Sequence, residues 1–493
     1  MKNELRRSAP AAQGVAAEHI IDFLNACEKV DSEIHGIMIA RNGQVIFEAY
    51  NAPYAADIPH IMHSFTKILT NTAVALAYSD GLLKLDDPLL KYFPEYEATA
   101  NQYLRKCTIR NLITMRNGQE RGIGGNEWRP LKTSWKEAYF KVPFDKEPGE
   151  TYMYSSGNSY ILSYIVQQLE GKTCRELVQE RVGKKIGLTD FPWMLSPEGV
   201  CSGGNGVSLT TEDMLRIGLL YLNRGNWNGE QLISEEWVEY AMGYRDPLPP
   251  VDGMQYNFHW DHWEDIWAAR GMFGQTCGLV PSLNMVFAIT AADNGYKAMR
   301  IFQREVIDRV KEDEKKADGG QAEGTGADPC EDILRQKGLR MTLKGKNVSV
   351  KGHWEPEERD MLFVPEDNGD GVTAAELHFT PRGEVVYVME DGRGRHEVTA
   401  GLDRWVDGVT TMTGAYLHHQ YEPDQSRISA IAYWSGEKTL MMEWRFPEMA
   451  FFDHVSITWD KDEVKVDRWV NMNSQDLSRP TLHLRKSPEV RVR

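Results

Sequence analysis

Two side chains that could form a nucleophile and its base lie three residues apart, Ser64 and Lys67. In a helix, residues i and i+3 share a face, so the Lys67 amine would lie over the Ser64 hydroxyl. A serine at a helix N-terminus also feels the positive end of the helix dipole, which favours developing negative charge. If burial or a nearby cation lowered the pKa of Lys67, its neutral amine could accept the hydroxyl proton. The motif thus indicates a lysine-activated nucleophile, with an ordinary N-cap serine as the alternative.

Few other catalytic patterns compete with this motif. A second Ser-x-x-Lys, from Ser435 to Lys438, falls in a predicted hairpin turn where no helix presents the serine, so we interpret it as structural. The sequence contains no GxSxG, HExxH, Walker A or GxGxxG pattern. His259 and His262 flank Asp261, but an HxxH with one carboxylate is a poor zinc signature. We therefore expect no metal and no cofactor.

The elements that would position Ser64 combine helices and strands. Residues 35–50 form two β-rich runs around Asn42-Gly43, which is a strong hairpin signal. Apolar spacing over 64–80 predicts a helix that Gly81 closes, and 272–292 is β-rich again. Strands at both ends of the region with helices between them predict an α+β fold, in which helices pack on one antiparallel sheet.

A change of composition at 312–332 predicts a linker, because this stretch is rich in Gly, Ala and acidic residues. It would separate a catalytic domain, residues 1–311, from a C-terminal domain, residues 333–493. Regular β-rich runs with turns between them predict that the second domain is an all-β barrel of lipocalin type. The strands are expected at 339–351, 373–391, 427–446 and 453–470.

The overall composition excludes several classes of partner. The 493 residues carry a formal net charge of −16, which disfavours nucleic acid and anionic membranes, since both attract basic surfaces. The six cysteines show no CxxC pair, and the N-terminus shows no apolar signal segment. We interpret Cys201 and Cys277 as packed thiols. These features predict a cytoplasmic protein without a membrane partner.

Four segments of the sequence resemble the serine hydrolases of the class C β-lactamase and penicillin-binding type. That family includes esterases, D-peptidases and 6-aminohexanoate-dimer hydrolases. The resemblance covers roughly residues 15–305, and the order and spacing of the segments make it far more specific than the Ser-x-x-Lys alone. The segments begin with HSFTKILTN at 63, EPGETYMYSSGNSY at 147, GGNGVSLTTEDM at 203 and YNFHWDHWEDIWAARGMFG at 256.

The resemblance implies a role for each matching residue. Ser64 would attack a carbonyl and form an acyl-enzyme, Lys67 would act as base, and Tyr154 would relay protons across the cleft. The oxyanion hole would consist of the backbone N–H groups of Ser64 and Met272.

Two departures from the family pattern bear on the substrate. The second motif reads Tyr-Ser-Ser where many relatives have Asn in third place, so either Ser156 or Asn158 could replace that amide. The third motif has Ala269 where β-lactamases and penicillin-binding proteins have a lysine that helps to recognise the substrate carboxylate. Recognition of β-lactams is therefore not expected. The expected substrate-binding residues are Ser156, Asn158, Arg270, Gly271, Trp260 and Trp263, the last two as an aromatic pocket wall. As the next residue along the strand, Arg270 should point to the face opposite Ala269.

The sequence thus predicts a serine hydrolase that cleaves a small-molecule ester or amide. A D-amino-acid peptidase or an aminohexanoate-type amidase is the alternative among enzymes. A penicillin-binding-like protein that binds its ligand and turns it over slowly is the alternative outside them. The C-terminal domain could shape the substrate cleft or form a homo-oligomer, and the sequence does not decide between these.

Overall fold

In a computed structural model of the protein, the structure describes residues 4–30, 32–245, 248–251, 253–318, 328–354, 356–460 and 463–487. The described residues form two compact units, within the ranges Met1–Asn51 and Ala56–Met341 and the ranges Ala52–Ala55 and Thr342–Arg493. The centre of the predicted linker, 319–327, lies outside the described residues. Residues on either side of it are helical, and Leu334 is buried in the core of the first unit. The predicted linker and domain limits stay a prediction.

The first unit is built on a seven-stranded antiparallel sheet. Its strands occur in the order β2, β1, β11, β10, β9, β8, β7, so the N-terminal hairpin pairs with the last strand of the unit. The strands of this unit are β1 (Glu33–Arg41), β2 (Gln44–Tyr50), β3 (His60–Ile61), β4 (Ser208–Leu209), β5 (Asn226–Trp227), β6 (Glu230–Gln231), β7 (Gln255–Asn257), β8 (Trp260–Trp263), β9 (Ile266–Gly271), β10 (Gln275–Val280) and β11 (Met285–Ala292).

The described helices also belong to this unit. They are α1 (Ala17–Glu28), α2 (Thr66–Ser79), α3 (Gln102–Lys106), α4 (Ile109–Ile113), α5 (Gly125–Trp128), α6 (Trp135–Lys141), α7 (Ser156–Glu170), α8 (Cys174–Val178), α9 (Lys184–Ile186), α10 (Thr211–Leu222), α11 (Glu235–Ala241), α12 (Lys297–Phe302), α13 (Asp308–Asp318) and α14 (Glu331–Leu339). None of them has the length and apolar character needed to cross a bilayer.

Both faces of the sheet are covered, because alternate strand residues enter different cores. On β1, Met38 and Ala40 join the larger core, which α2, α7 and α10 also supply, whereas Ile37 and Ile39 join a second core with α1 and α12. The predicted α+β architecture with one antiparallel sheet and packed helices is therefore confirmed. The predicted hairpin turn is also present, with positive φ at both Asn42 and Gly43.

The second unit is a closed β-barrel, which confirms the predicted all-β domain. Nine strands form the ring, and a parallel pairing of β15 with β17 closes it, while β16 pairs beside β17. Lipocalin barrels have eight strands. The strands are β12 (Asp360–Pro365), β13 (Ala374–Thr380), β14 (Glu384–Asp391), β15 (Gly394–Leu402), β16 (Val406–Thr410), β17 (Ser426–Gly436), β18 (Thr439–Arg445), β19 (Phe452–Asp460), β20 (Glu463–Val470) and β21 (Leu482–Lys486).

The prediction of a strand at 339–351 was wrong. Leu339 ends α14, and the following segment makes one isolated bridge, between Thr342 and Ala52. Its alternating apolar residues face solvent, since Val348 is 69% exposed and Val350 is 41% exposed. Alternation alone could not reveal that this segment has no partner strand for most of its length.

Candidate active site

Ser64 lies at the entrance to the most buried helix of the first unit. It belongs to a short 3-10 turn, His63–Phe65, that leads directly into α2. Every residue of α2 from Thr66 to Ala77 is buried, which fixes the direction of the helix. His63, just before the serine, is buried and has a φ of +46°, a conformation that is uncommon for a residue with a side chain. Such backbone strain persists only where the surrounding structure holds it, and it concentrates at functional sites.

The Lys67 amine is buried among three oxygen atoms. Its Nζ lies 3.3 Å from Ser64 Oγ, 3.1 Å from Ser156 Oγ and 2.7 Å from the carbonyl oxygen of Gly204. The carbonyl can only accept, so the amine must donate to it, whereas the hydroxyls can donate or accept. A neutral amine therefore still has a lone pair that can take the proton of Ser64.

The surroundings of Lys67 favour this neutral form. Burial, with a smaller contribution from the positive charge of Arg129, lowers its pKa from an ordinary value of 10.5 to about 7. Charged lysine loses its hydration in such a site, and no carboxylate contacts its amine among the described residues to compensate. Close to neutral pH, a large fraction of Lys67 can therefore act as a base.

Tyr154 lies on the other side of the serine. The Lys67 amine is 4.7 Å from the centre of the Tyr154 ring, and Tyr154 lines the same pocket as Ser64. Enclosure by its neighbours raises the pKa of Tyr154 above its ordinary value, and the nearby Ser64 side chain partly offsets this increase. The residue is 41% exposed, and this contact with solvent limits the increase. The phenol therefore carries its proton at neutral pH.

A glycine-rich segment holds the backbone at Tyr154. A Cβ on Gly122 would lie 2.2 Å from the Tyr154 carbonyl oxygen, so only glycine fits there. The N–H of Ile123 donates to the Ser155 hydroxyl, and the N–H of Ser156 donates to the Ile123 carbonyl. These contacts fix Tyr154 at the start of α7.

The end of β9 lies against the segment that carries Ser64. A Cβ on Gly271 would be 2.1 Å from the carbonyl oxygen of Met62, which explains why a glycine stands there. The next residue, Met272, lines the same pocket as Ser64 and is 38% exposed. This close approach brings together the two backbone segments for which the family resemblance implies an oxyanion hole.

These groups line one pocket of about 230 Å³. Its lining combines the candidate catalytic side chains with a charged pair and an aromatic wall. The lining residues are Ser64, Lys67, Tyr152, Tyr154, Tyr256, His259, Asp261, Arg270, Met272 and Tyr296.

Of the six expected substrate contacts, Arg270 is among these lining residues, and Ser156, Asn158, Gly271, Trp260 and Trp263 are not. Asn158 is fully buried, and its side chain is hydrogen-bonded by Tyr139 and lies near Met115, so Ser156 is the residue of the second motif that contacts Lys67. Trp260 is 1% exposed and packs on Tyr221 in the larger core, so it is not a pocket wall.

Trp263 also lies away from the pocket lining. Its indole packs against the second core and its N–H donates to Gln303. Arg270 lines the pocket. The neighbouring Ala269 packs into the larger core on the opposite face of the sheet, as the alternation along the strand predicts. Tyrosines, not tryptophans, therefore form the aromatic wall.

His259 is a buried residue of the site to which the sequence pattern assigned no catalytic function. Its Nδ1–H donates to the Lys67 carbonyl at 2.8 Å, and its Nε2 accepts from the Ser159 hydroxyl at 3.2 Å. Burial and the charge of Lys67 lower the pKa of His259 to about 3, so the ring is neutral and this tautomer is fixed. His259 thus ties α2 to α7. Its neighbour in the HxxH pattern, His262, instead stacks on Trp267.

The described residues contain no group of three or more His, Cys, Asp or Glu side chains that could hold a metal ion. Cys201 and Cys277, which the sequence suggested were packed thiols, are fully buried.

Comparison with known proteins places this site in a family. Residues 24–311, more than half of the chain, match the Beta-lactamase family. The chain belongs to this family. The resemblance inferred from the four sequence segments is therefore confirmed, and the site of this Beta-lactamase family member lies within the matched residues.

Individual relatives are distant. A 6-aminohexanoate-dimer hydrolase from Paenarthrobacter ureafaciens is 23% identical over 42% of this chain and 56% of its own length. A lovastatin esterase from Penicillium rubens is 24% identical over 32% of this chain and 46% of its own length. The chain thus spans about half the length of these curated relatives.

A solved structure supports the fold. It comes from Bacillus anthracis and is provisionally named a 6-aminohexanoate-dimer hydrolase. The two chains superpose with a TM-score of 0.54 at 20% identity, over 63% of this chain and 88% of the other.

Proposed function

We propose that this Beta-lactamase family member is a serine hydrolase that cleaves an ester or an amide through an acyl-enzyme on Ser64. The observation that carries the proposal is the buried Lys67 amine, which lies 3.3 Å from Ser64 Oγ while its N–H donates to the Gly204 carbonyl. The names of the relatives, an esterase and an amide-dimer hydrolase, agree with this reaction class.

In the proposed acylation step, Ser64 Oγ forms a bond to the substrate carbonyl carbon as its proton passes to the neutral Lys67 amine. The N–H groups of Ser64 and Met272 would stabilise the resulting oxyanion. As the bond to the leaving group breaks, the Tyr154 phenol donates its proton to that group, and Lys67 returns a proton to Tyr154.

Deacylation would use the same residues in the reverse direction. Water attacks the acyl carbon, its proton passes through Tyr154, and Ser64 leaves as the alcohol. Tyr154 suits both steps because its phenol is protonated at neutral pH and because it lines the same pocket as Ser64 while remaining partly exposed. Without this relay, the acyl-enzyme would persist and the protein would act as a covalent binder.

The test compares 4-nitrophenyl acetate hydrolysis by the wild type, Ser64→Ala and Ser435→Ala. Ser435 is a matched control because it heads the second Ser-x-x-Lys and is exposed on the second unit. We expect Ser64→Ala to lose the catalysed rate and Ser435→Ala to retain it. Undiminished hydrolysis by Ser64→Ala would contradict the proposal. A single burst of nitrophenol without turnover would instead favour the slow binding protein.

Nitrocefin in the same assay tests the argument about the substrate. Ala269 is fully buried and offers no cation where the lysine of β-lactamases stands. We expect nitrocefin to be hydrolysed far more slowly than the acetate ester. Rapid hydrolysis would show that the argument from Ala269 is wrong.

A further inference from the structure

A charged pair lines the pocket that holds Ser64. Arg270, on β9, donates from Nε to Oδ2 of Asp261, on β8, at 2.7 Å. Both side chains are largely buried, with exposed fractions of 17% and 16%. Asp261 is paired across the sheet with Ala268, so Arg270 is its diagonal neighbour, two residues further along the same face.

Aromatic rings hold the guanidinium in this position. Its carbon lies 4.7 Å from the centre of the Tyr296 ring and 5.9 Å from that of Trp263. Its Nη2 is also 3.8 Å from the sulfur of Met254. Stacking of this kind favours the cation and restricts its rotamers. Arg270 is therefore a fixed group whose charge is matched by that of Asp261.

Among the described residues that line the pocket, this pairing leaves no cationic side chain without a neutralising partner or a lowered pKa. The cationic residues in the lining are Arg270, which Asp261 neutralises, and Lys67, whose pKa is lowered to about 7. A substrate carboxylate entering this enclosed space would lose its hydration and also meet the carboxylate of Asp261. An uncharged acyl group meets no such penalty, and the wall of Tyr152, Tyr154 and Tyr256 offers it apolar contact.

We propose that Asp261 is a specificity-determining residue that reserves the pocket for uncharged acyl groups by neutralising Arg270. The proposal rests on the proposed function, because it concerns the substrate of the same site. The substrates would be esters or amides whose acyl chain carries no carboxylate. It also implies that removing the Asp261 charge would convert Arg270 into a carboxylate-binding group.

The test uses two esters that differ in one group, 4-nitrophenyl hexanoate and mono-4-nitrophenyl adipate, which carries a carboxylate at the end of the same chain. The quantity compared is the ratio of kcat/KM for the two esters, after subtraction of the uncatalysed rates at pH 8. We expect the wild type to prefer the hexanoate at least tenfold. We expect Asp261→Asn to move this ratio at least tenfold toward the adipate, and Asp261→Asn with Arg270→Gln to lose that gain.

Each outcome supports or overturns the proposal. A wild-type ratio near one, or one that favours the adipate, overturns it without any variant. The proposal is also overturned if the ratio of kcat/KM for the two esters is unchanged in Asp261→Asn. It is overturned as well if the shift toward the adipate persists when Arg270→Gln is added. Circular dichroism checks that the variants fold, and Asp261→Ser repeats the comparison if the asparagine variant is unstable.

Failure of the proposed function would have a different signature. In that case Ser64→Ala would hydrolyse both esters as fast as the wild type does. Failure of the specificity proposal alone would leave hydrolysis dependent on Ser64 but the ester preference reversed or absent.

Discussion

Replacement of Lys67 by Met should stabilise the protein in a way that depends on pH. Burial lowers the pKa of Lys67 from 10.5 to about 7, so between these values the unfolded chain binds a proton that the folded chain does not. Wild-type stability must therefore rise with pH over this window. The cost of burying Lys67 is about 4 kcal/mol at pH 7 and about 2 kcal/mol at pH 9, since one pKa unit corresponds to about 1.4 kcal/mol.

The quantity to measure is the difference in unfolding free energy between Lys67→Met and the wild type. Loss of the hydrogen bond to the Gly204 carbonyl lowers the stability of the variant by the same amount at both pH values. The unfolding free energy of Lys67→Met minus that of the wild type should therefore be about 2 kcal/mol smaller at pH 9 than at pH 7. Urea unfolding followed by tryptophan fluorescence and circular dichroism measures it.

Two features make this experiment decisive. Because the chain has two units, the transition to follow is the one that the substitution displaces. Lys438→Met is the control, since Lys438 is exposed in the second Ser-x-x-Lys, and its difference should not change with pH. A constant difference for Lys67→Met would refute the lowered pKa and with it the assignment of Lys67 as a neutral base.

Four further predictions follow from the same structure. The kcat/KM for 4-nitrophenyl acetate should rise through a pKa near 7, the value to which burial lowers the pKa of Lys67, and then reach a plateau; a rate independent of pH from 6 to 8 would contradict this. Tyr154→Phe should lower kcat by at least about 100-fold, the usual scale of general acid–base catalysis, and an unchanged kcat in a steady-state assay would remove the phenol from the mechanism. Gly271→Ala should abolish most activity, because the added Cβ would lie 2.1 Å from the Met62 carbonyl oxygen; a fully active alanine variant would show that this approach is not needed. Asp453→Asn should destabilise the barrel by about 3 kcal/mol or more, as its buried carboxylate pairs with His418 and Arg468; an unchanged melting curve would contradict that.

Local signals were enough to predict the elements around the nucleophile. The spacing of Ser64 and Lys67 predicted a shared face, and their side chains are within hydrogen-bonding range in the structure. Asn42-Gly43 predicted the hairpin because few other pairs accept positive φ at both positions.

Features that depend on pairing between distant segments could not be predicted. The approach of Asp261 to Arg270 requires the register of β8 against β9, which neither strand encodes alone. Alternation along β8 shows that Trp260 and Asp261 face opposite sides, but not which side meets the pocket. A barrel was predicted, but the strand pair that closes it, β15 with β17, likewise depends on a long-range contact. The positive φ of His63 has no local signal at all.

Mapping of a fluorophosphonate adduct tests the central claim most directly. Trypsin should release residues 42–67 as one peptide, because the chain has no Lys or Arg between Arg41 and Lys67. After labelling of the wild type, fragmentation of this peptide should place a single phosphonyl group on Ser64, and Ser64→Ala should carry none. An adduct on another residue, or equal labelling of Ser64→Ala, would contradict the assignment of Ser64 as the nucleophile.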